Sequence, residues 1–99
     1  MLHIVNKSPL DRAGFASCLR AAQPGAAILL IEDGVYAATR GTAAAGQIGR
    51  NAASLKFYAL GPDLQARGMN DRIVDSVQIV DYEGFVDLVE AHKTVLSWL

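Results

Sequence analysis

Short apolar runs alternate along the chain with segments whose apolar residues recur at helical spacing. The runs are aliphatic and nearly continuous, as in strands buried on both faces of a sheet. They predict strands at residues 2–5, 26–31, 56–60 and 77–80, with a short fifth strand at 94–99. Because strands that alternate with helices form right-handed βαβ units, we expect a small flavodoxin-like α/β fold of three layers around a mainly parallel sheet.

The segments between these runs predict helices at residues 11–22, 33–38, 42–53, 63–67 and 82–92. In the first helix, Phe15, Leu19 and Ala22 fall at positions i, i+4 and i+7 and form the expected core stripe. Cys18 borders that stripe without lying at its centre. Asp33 is expected to cap the second helix.

Two further helices carry predicted apolar faces. Residues 42–53 form a weak helix of small residues, whose packing face is expected to contain Ala45, Ile48, Gly49 and Ala52. In the last helix the apolar positions are Tyr82, Phe85, Val86 and Val89. The face of residues 42–53 would pack on the sheet or on another subunit.

The composition favours a chain with a partner. Hydrophobic residues make up 52% and charged residues 19%, against about 45–50% and about 25% in average soluble domains. With 99 residues the chain has the length of one domain, residues 1–99. An apolar excess in so small a domain indicates apolar surface that faces another protein. A well-filled monomeric core is the alternative.

The net charge of −1 gives no basic field that would draw the protein to nucleic acid or to a membrane. The charges are nevertheless uneven. Residues 1–56 carry six Lys or Arg and three acids, whereas residues 57–99 carry seven acids and three bases. This asymmetry predicts either a solvated acidic helix face or a surface of two signs that docks a complementary subunit.

The start of the chain leads directly into a strand and has no pattern of a signal peptide. The longest apolar run, residues 26–31, is too short to span a bilayer. With a single cysteine and no export signal, we expect a cytoplasmic protein in which the thiol stays reduced.

Motifs for nucleotide or metal chemistry are incomplete. Gly41 and Gly46 match the first half of a P-loop, but Gln47 and Ile48 stand where the motif needs Lys and Ser or Thr. The histidines, His3 and His92, belong to no cluster with the spacing of metal ligands. We therefore expect neither a bound metal nor a cofactor.

Three features leave alternatives open. The Glu32–Asp33 pair ends a strand, where it would serve as a catalytic acid or as a solvated cap. Trp98, close to the end of the chain, would dock on its own domain or anchor an interface. Cys18 is either a packed inert thiol or a reactive one, because no cation is placed clearly beside it.

Four segments together resemble the DsrH/TusB family, which is one subunit type of the DsrEFH and TusBCD sulfur-relay complexes. They are MLHIVNKSP at residues 1–9, LLIEDGVYAA at 29–38, FYALGPDLQARG at 57–68 and VDYEGFVDL at 80–88. The resemblance covers essentially the whole chain, in order.

The resemblance implies a DsrE-like fold and a cytoplasmic heterohexamer with DsrE/TusD-like and DsrF/TusC-like subunits. In such complexes sulfur travels as a cysteine persulfide, to a DsrC/TusE-like carrier. The main sulfur-accepting cysteine belongs to the DsrE/TusD-like subunit. Residues 55–81 of this chain contain no cysteine, so the resemblance implies that a partner supplies that site. Direct contact with nucleic acid or membrane is not implied.

Cys18, in the context SCLR at residues 17–20, resembles the cysteine that DsrH-type members carry in their first helix. This resemblance makes Cys18 the candidate persulfide carrier. It also favours the sulfur-oxidation branch over the branch that 2-thiolates the wobble uridine of tRNA. The alternative is a non-catalytic structural subunit in which Cys18 serves only in packing.

Overall fold

A parallel five-stranded sheet organises the chain. The computed structural model describes all residues from 1 to 99. The strands lie in the order β4-β3-β2-β1-β5, and all four pairings are parallel. They are β1 (Leu2–Val5), β2 (Ala27–Leu30), β3 (Lys56–Leu60), β4 (Val77–Val80) and β5 (Val95–Trp98). The predicted α/β class with a parallel sheet is confirmed.

Four α-helices and a 3₁₀ helix connect the strands. They are α1 (Gly14–Ala21), the 3₁₀ helix (Glu32–Ala38), α2 (Ala43–Asn51), α3 (Gly61–Ala66) and α4 (Tyr82–Ala91). None of these helices is long and apolar enough to cross a membrane.

The connections divide the helices unequally between the two faces of the sheet. Strands β1 to β4 follow one another across the sheet, so right-handed crossovers place α1, α2 and α3 on one face. The chain then returns from β4 to the opposite edge, which places α4 on the other face. Flavodoxin differs, because its β1 lies between β2 and β3.

The two faces bury separate apolar clusters. The first face, here called the cysteine face, packs the strands against α1, the 3₁₀ helix, α2 and α3 in a cluster of 18 buried residues that includes Cys18. The second face, here called the α4 face, buries only four residues, with Phe85 and Leu88 of α4 packed against them. The four are Leu2, Ile4, Ala27 and Leu29.

Helix α1 is shorter than predicted, and its core stripe is shifted. It begins at Gly14 rather than at residue 11, because the Ser8 carbonyl accepts hydrogen bonds from the backbone N–H groups of residues 11 and 12 and holds them in a turn. Phe15 and Cys18 are its fully buried residues, whereas Leu19 and Ala22 pack at the margin of the cluster. Cys18 is thus a core residue rather than a neighbour of the core.

The predicted packing faces of α2 and α4 are also partly wrong. In α2 the buried residues are Ala44, Ala45 and Ile48, while Gly49 and Ala52 are exposed. In α4 no residue is fully buried. Phe85 and Leu88 approach the sheet, while the rest of the predicted stripe is exposed to solvent, namely Tyr82, Val86 and Val89.

The end of the chain docks on its own sheet. Nε1 of Trp98 donates a hydrogen bond of 3.0 Å to Nδ1 of His3, and the two ring centroids lie 6.0 Å apart. His3 is buried. Because Nδ1 accepts this bond, the neutral ring carries its proton on Nε2. Burial lowers the pKa of His3, and the N-terminal ammonium lowers it further.

Gly34 marks a close approach of two backbones. A Cβ atom at this position would overlap the carbonyl oxygen of Val5 and lie 2.8 Å from its carbonyl carbon. The same oxygen accepts a hydrogen bond from the backbone N–H of Ile31. Only glycine allows the 3₁₀ helix to lie this close to the end of β1.

We expect the substitution Gly34→Ala to lower the free energy of unfolding by about 3 kcal/mol or more, because backbone atoms must move to relieve the overlap. Urea denaturation followed by circular dichroism measures the change. Gly49→Ala is the matched control, since a Cβ there meets nothing within 4 Å, and it should stabilise α2 by up to about 1 kcal/mol. Equal stability of the two variants would contradict the proposed contact.

Acidification should weaken the docking of Trp98. Because the pKa of His3 is lowered in the folded state, the unfolded chain binds a proton first as the pH falls below about 6.5. The free energy of unfolding should therefore decrease from that pH downward, until the folded-state pKa is passed. His3→Gln should remove this component, while His92→Gln should retain it.

Trp98 is the only tryptophan, so its fluorescence during urea titrations at pH 7.5 and 5.5 reports both stability and docking. An unchanged pH dependence in His3→Gln would show that His3 does not carry the effect.

Candidate functional site

Parallel strands bring four connections to one edge of the sheet, the edge where the strands end. The loop after β1, the 3₁₀ helix after β2, helix α3 after β3 and the start of α4 after β4 all begin there. In parallel α/β sheets this is the edge where binding and reactive groups collect.

A polar network at this edge joins the 3₁₀ helix to α3. Oδ2 of Asp63 accepts a hydrogen bond of 2.6 Å from the backbone N–H of Glu32. Arg67 donates from Nε and from its guanidinium terminus to Oδ1 of Asp33, at 3.0 and 2.9 Å, and also to the Asp63 carbonyl oxygen. The network fixes the orientation of the two segments relative to each other.

The network corrects the expected role of Asp33. Its side chain makes no capping hydrogen bond, because it pairs with Arg67 instead. The first N–H of the 3₁₀ helix is bound by Asp63, which comes from a different connection. The Asp63 bond also holds Glu32 at a φ of 49°, a left-handed conformation that is uncommon outside glycine. Nothing in this geometry assembles the Glu32–Asp33 pair into a catalytic dyad.

The loop after β1 is organised by Ser8. Its hydroxyl accepts a hydrogen bond from the N–H of Leu10, at 3.2 Å, and its carbonyl holds the turn that precedes α1. Asn6, at the end of β1, has a buried side-chain oxygen with no hydrogen-bond partner. The loop leaves Leu10 almost fully in solvent, with 92% of its surface exposed.

A cavity of about 410 Å³ lies between this loop, the 3₁₀ helix and the first turns of α1 and α2. Its wall is mainly apolar and includes Leu10, Phe15 and Tyr36, with Arg12 as the one charged residue. Cys18 is not part of the wall, although Phe15 lies one helical turn before it. The sequence carried a weak signal for this cavity, namely an aliphatic residue at position 10 directly after a proline.

Cys18 lies in the interior, with none of its surface exposed. Burial raises the pKa of its thiol to about 12. Arg20 is exposed, and its guanidinium donates to the Ser17 hydroxyl. With its pKa this far above neutrality, the thiol stays protonated at pH 7. In this conformation Cys18 has the environment of a packing residue.

The other candidates do not converge with Cys18 into one site. His3 is paired with Trp98, and Nδ1 of His92 lies 2.7 Å from the carbonyl oxygen of Leu88. No three His, Cys, Asp or Glu side chains are grouped closely enough to hold a metal ion. Of the two glycines in the partial P-loop, Gly41 has a φ of +82° and forms a turn before α2. The sequence analysis did not predict the network around Asp63, because the residues that form it are distant from one another along the chain.

The chain matches a known protein family. The model of a family described as DsrH like protein matches residues 7–95. Curated relatives named Protein TusB match the chain from end to end. The protein from Pectobacterium parmentieri is 40% identical over 99 residues, covering 99% of this chain and 100% of the relative. The protein from Escherichia coli K12 is 39% identical over 98 residues, with the same coverage.

Solved structures share the fold at lower identity. The crystal structure of the ychN protein from E. coli superposes with a TM-score of 0.76 at 16% identity, covering 97% of both chains. MTH1491 from Methanobacterium thermoautotrophicum, a protein of unknown function, gives a TM-score of 0.71 at 19% identity, covering 97% of this chain and 95% of its own. These likenesses establish the fold.

The buried thiol should resist alkylation. We expect iodoacetamide to modify native Cys18 at least about 100-fold more slowly than the urea-unfolded chain, because both access and ionisation are low in the folded state. Intact-mass spectrometry over time measures the rates. A Cys18→Ala, Ser17→Cys double variant moves the thiol by one residue to a partly exposed position and should react faster. Equal rates for the native and unfolded chains would contradict the burial.

Proposed function

The chain belongs to the DsrH family, and we propose on this basis that it is a subunit of a sulfur-relay complex of the TusBCD type. In this proposal it supports the 2-thiolation of wobble uridine in tRNA. The observation that carries the proposal is the full-length match to proteins named TusB. The comparisons do not favour the sulfur-oxidation branch that the context of Cys18 had indicated.

The chemistry of the chain supports a role in assembly. A relay step needs an accessible thiolate that attacks the terminal sulfur of a donor persulfide, forms a new S–S bond and releases the donor as its thiolate. This chain has one thiol, which is buried and has a raised pKa. We therefore assign the principal persulfide to a DsrE/TusD-like partner, with a DsrF/TusC-like chain as the third subunit and a TusE-like protein as the carrier.

Cys18 as a secondary persulfide carrier stays a prediction. It requires an opening of α1 that brings Sγ to solvent, since Cys18 is fully buried and does not line the cavity. We also propose that the protein is cytoplasmic and that residues 1–99 form a single domain.

The function is tested in a bacterial strain that lacks its own TusB. We expect this chain, expressed with its cognate partners, to restore 2-thiouridine in tRNA, measured by mass spectrometry of digested tRNA. Cys18→Ala should retain the thiolation, because alanine keeps the site apolar and small. Failure of the wild-type chain to restore the modification, while it assembles with the partners, would overturn the tRNA branch.

A second measurement distinguishes a carrier role of Cys18 from a packing role. The reduced chain and its Cys18→Ala variant are incubated with a persulfide donor, alone and in the assembled complex, and their intact masses are recorded. A gain of one sulfur atom on the wild-type chain only, with loss of tRNA thiolation in Cys18→Ala, would establish the carrier role. No gain, with normal thiolation, would establish packing.

A further inference from the structure

The outward side of helix α4 carries an apolar stripe that the fold leaves uncovered. Tyr82, Val86 and Val89 fall at positions i, i+4 and i+7, so they share one side of the helix. They are 60%, 53% and 36% exposed. Because Phe85 and Leu88 already hold the helix on the sheet, packing on the sheet does not account for this apolar stripe.

An acidic stripe runs beside the apolar stripe. Glu83, Asp87 and Glu90 have the same spacing one residue further along the helix, so they lie about 100° around it from the apolar stripe. All three are exposed. Phe85 and Leu88 lie about 100° to the other side. The apolar stripe is therefore bordered by the sheet on one side and by negative charge on the other.

The acidic stripe has no compensating charge within the molecule. Neither of the two ion pairs in the structure involves a residue of α4, and residues 73–92 contain no Lys or Arg. Glu83 and Asp87 are like charges four residues apart, which weakens a helix. Glu90 places a further negative charge in the last turn, where the helix dipole disfavours it. Charges that cost helix stability in this way are typical of a surface that serves binding.

The two stripes together define the chemistry of what can cover them. A complementary surface is apolar and carries Lys or Arg along one margin. The phosphates of a nucleic acid and an anionic membrane surface are both repelled by the acidic stripe. A second copy of the chain, joined through the same side of α4, brings only further negative charge into the contact. The stripes therefore favour a different protein.

We propose that the outward side of α4 is a docking surface for another subunit of the relay complex, one whose contact surface is apolar with Lys or Arg along one margin. This proposal rests on the proposed function, because membership in a complex of different subunits supplies the partner. The apolar stripe provides the area that is buried, and it includes Tyr82, a residue type enriched in interfaces. The acidic stripe sets the orientation and the rate of association.

Dilution of the assembled complex tests the apolar stripe. The chain is co-expressed with its cognate partners, and the purified complex is diluted in sedimentation-velocity runs. We expect Val86→Asp to raise the concentration of half-dissociation by more than about tenfold. Val86 is 53% exposed in the single chain, so thermal unfolding should show that the variant remains folded. Leu99→Asp, at a position that is 79% exposed and outside α4, is the matched control and should assemble like wild type.

Reversal of the central charge tests the acidic stripe. Asp87→Lys should raise the concentration of half-dissociation by more than about threefold. It should also remove much of the weakening that salt causes in the wild-type complex, because salt screens the attraction that this variant lacks. Asp87→Glu keeps the charge and should behave like wild type. Asp11→Lys makes the same reversal at an exposed acid away from α4 and should leave assembly unchanged.

The outcomes separate this docking surface from the proposed function. If the wild-type chain assembles with its partners and both α4 variants assemble equally well, the docking surface is overturned and the proposed function stands. A wild-type chain that associates with no partner, or only with its own copies, would overturn both. Equal weakening by Leu99→Asp and Asp11→Lys would show that the effect is not specific to α4 and would also overturn the docking surface.

Discussion

The return of the chain from β4 to β5 is the constraint on which the rest of the structure depends. Four parallel strands laid down in order place their helices on one face. The single crossover back across the sheet then leaves α4 alone to cover the other. A sheet of five strands is about 19 Å wide between its outer strands, whereas a helix with its side chains is about 10 Å across. One helix cannot cover it.

The unequal cover of the two faces decides how deeply the chemically reactive residues are buried. On the cysteine face several helices bury 18 residues in one cluster, and Cys18 is among them. The thiol is thus enclosed by the thicker layer, which is why its pKa rises. On the α4 face, Gln78 and Val95 at the two edges stay exposed, and the helix itself has no fully buried residue. Apolar surface therefore stays uncovered on this face at Val95 and along the outer side of α4.

The strands were predictable, and the relations between distant segments were not. Residues 56–60 and 77–80 were placed correctly because short runs rich in aliphatic and aromatic residues between polar turns predict strands. The capping role of Asp33 was wrong because Arg67, which binds it, lies 34 residues away. Cys18 was placed beside the core because periodicity gives the side of a helix but not the depth at which that side is buried.

Several residues in the segments that resemble the family make contacts that hold the fold together. Gly34 allows the 3₁₀ helix to pass the end of β1, Asp63 and Arg67 bind that helix to α3, and Ser8 shapes the loop beside the cavity. All of them position the carboxyl edge of the sheet. These contacts maintain the edge while the one thiol stays buried, so the accessible features of the edge are its shape and its charge. The apolar excess of the chain is exposed at Leu10, beside this edge, and along α4.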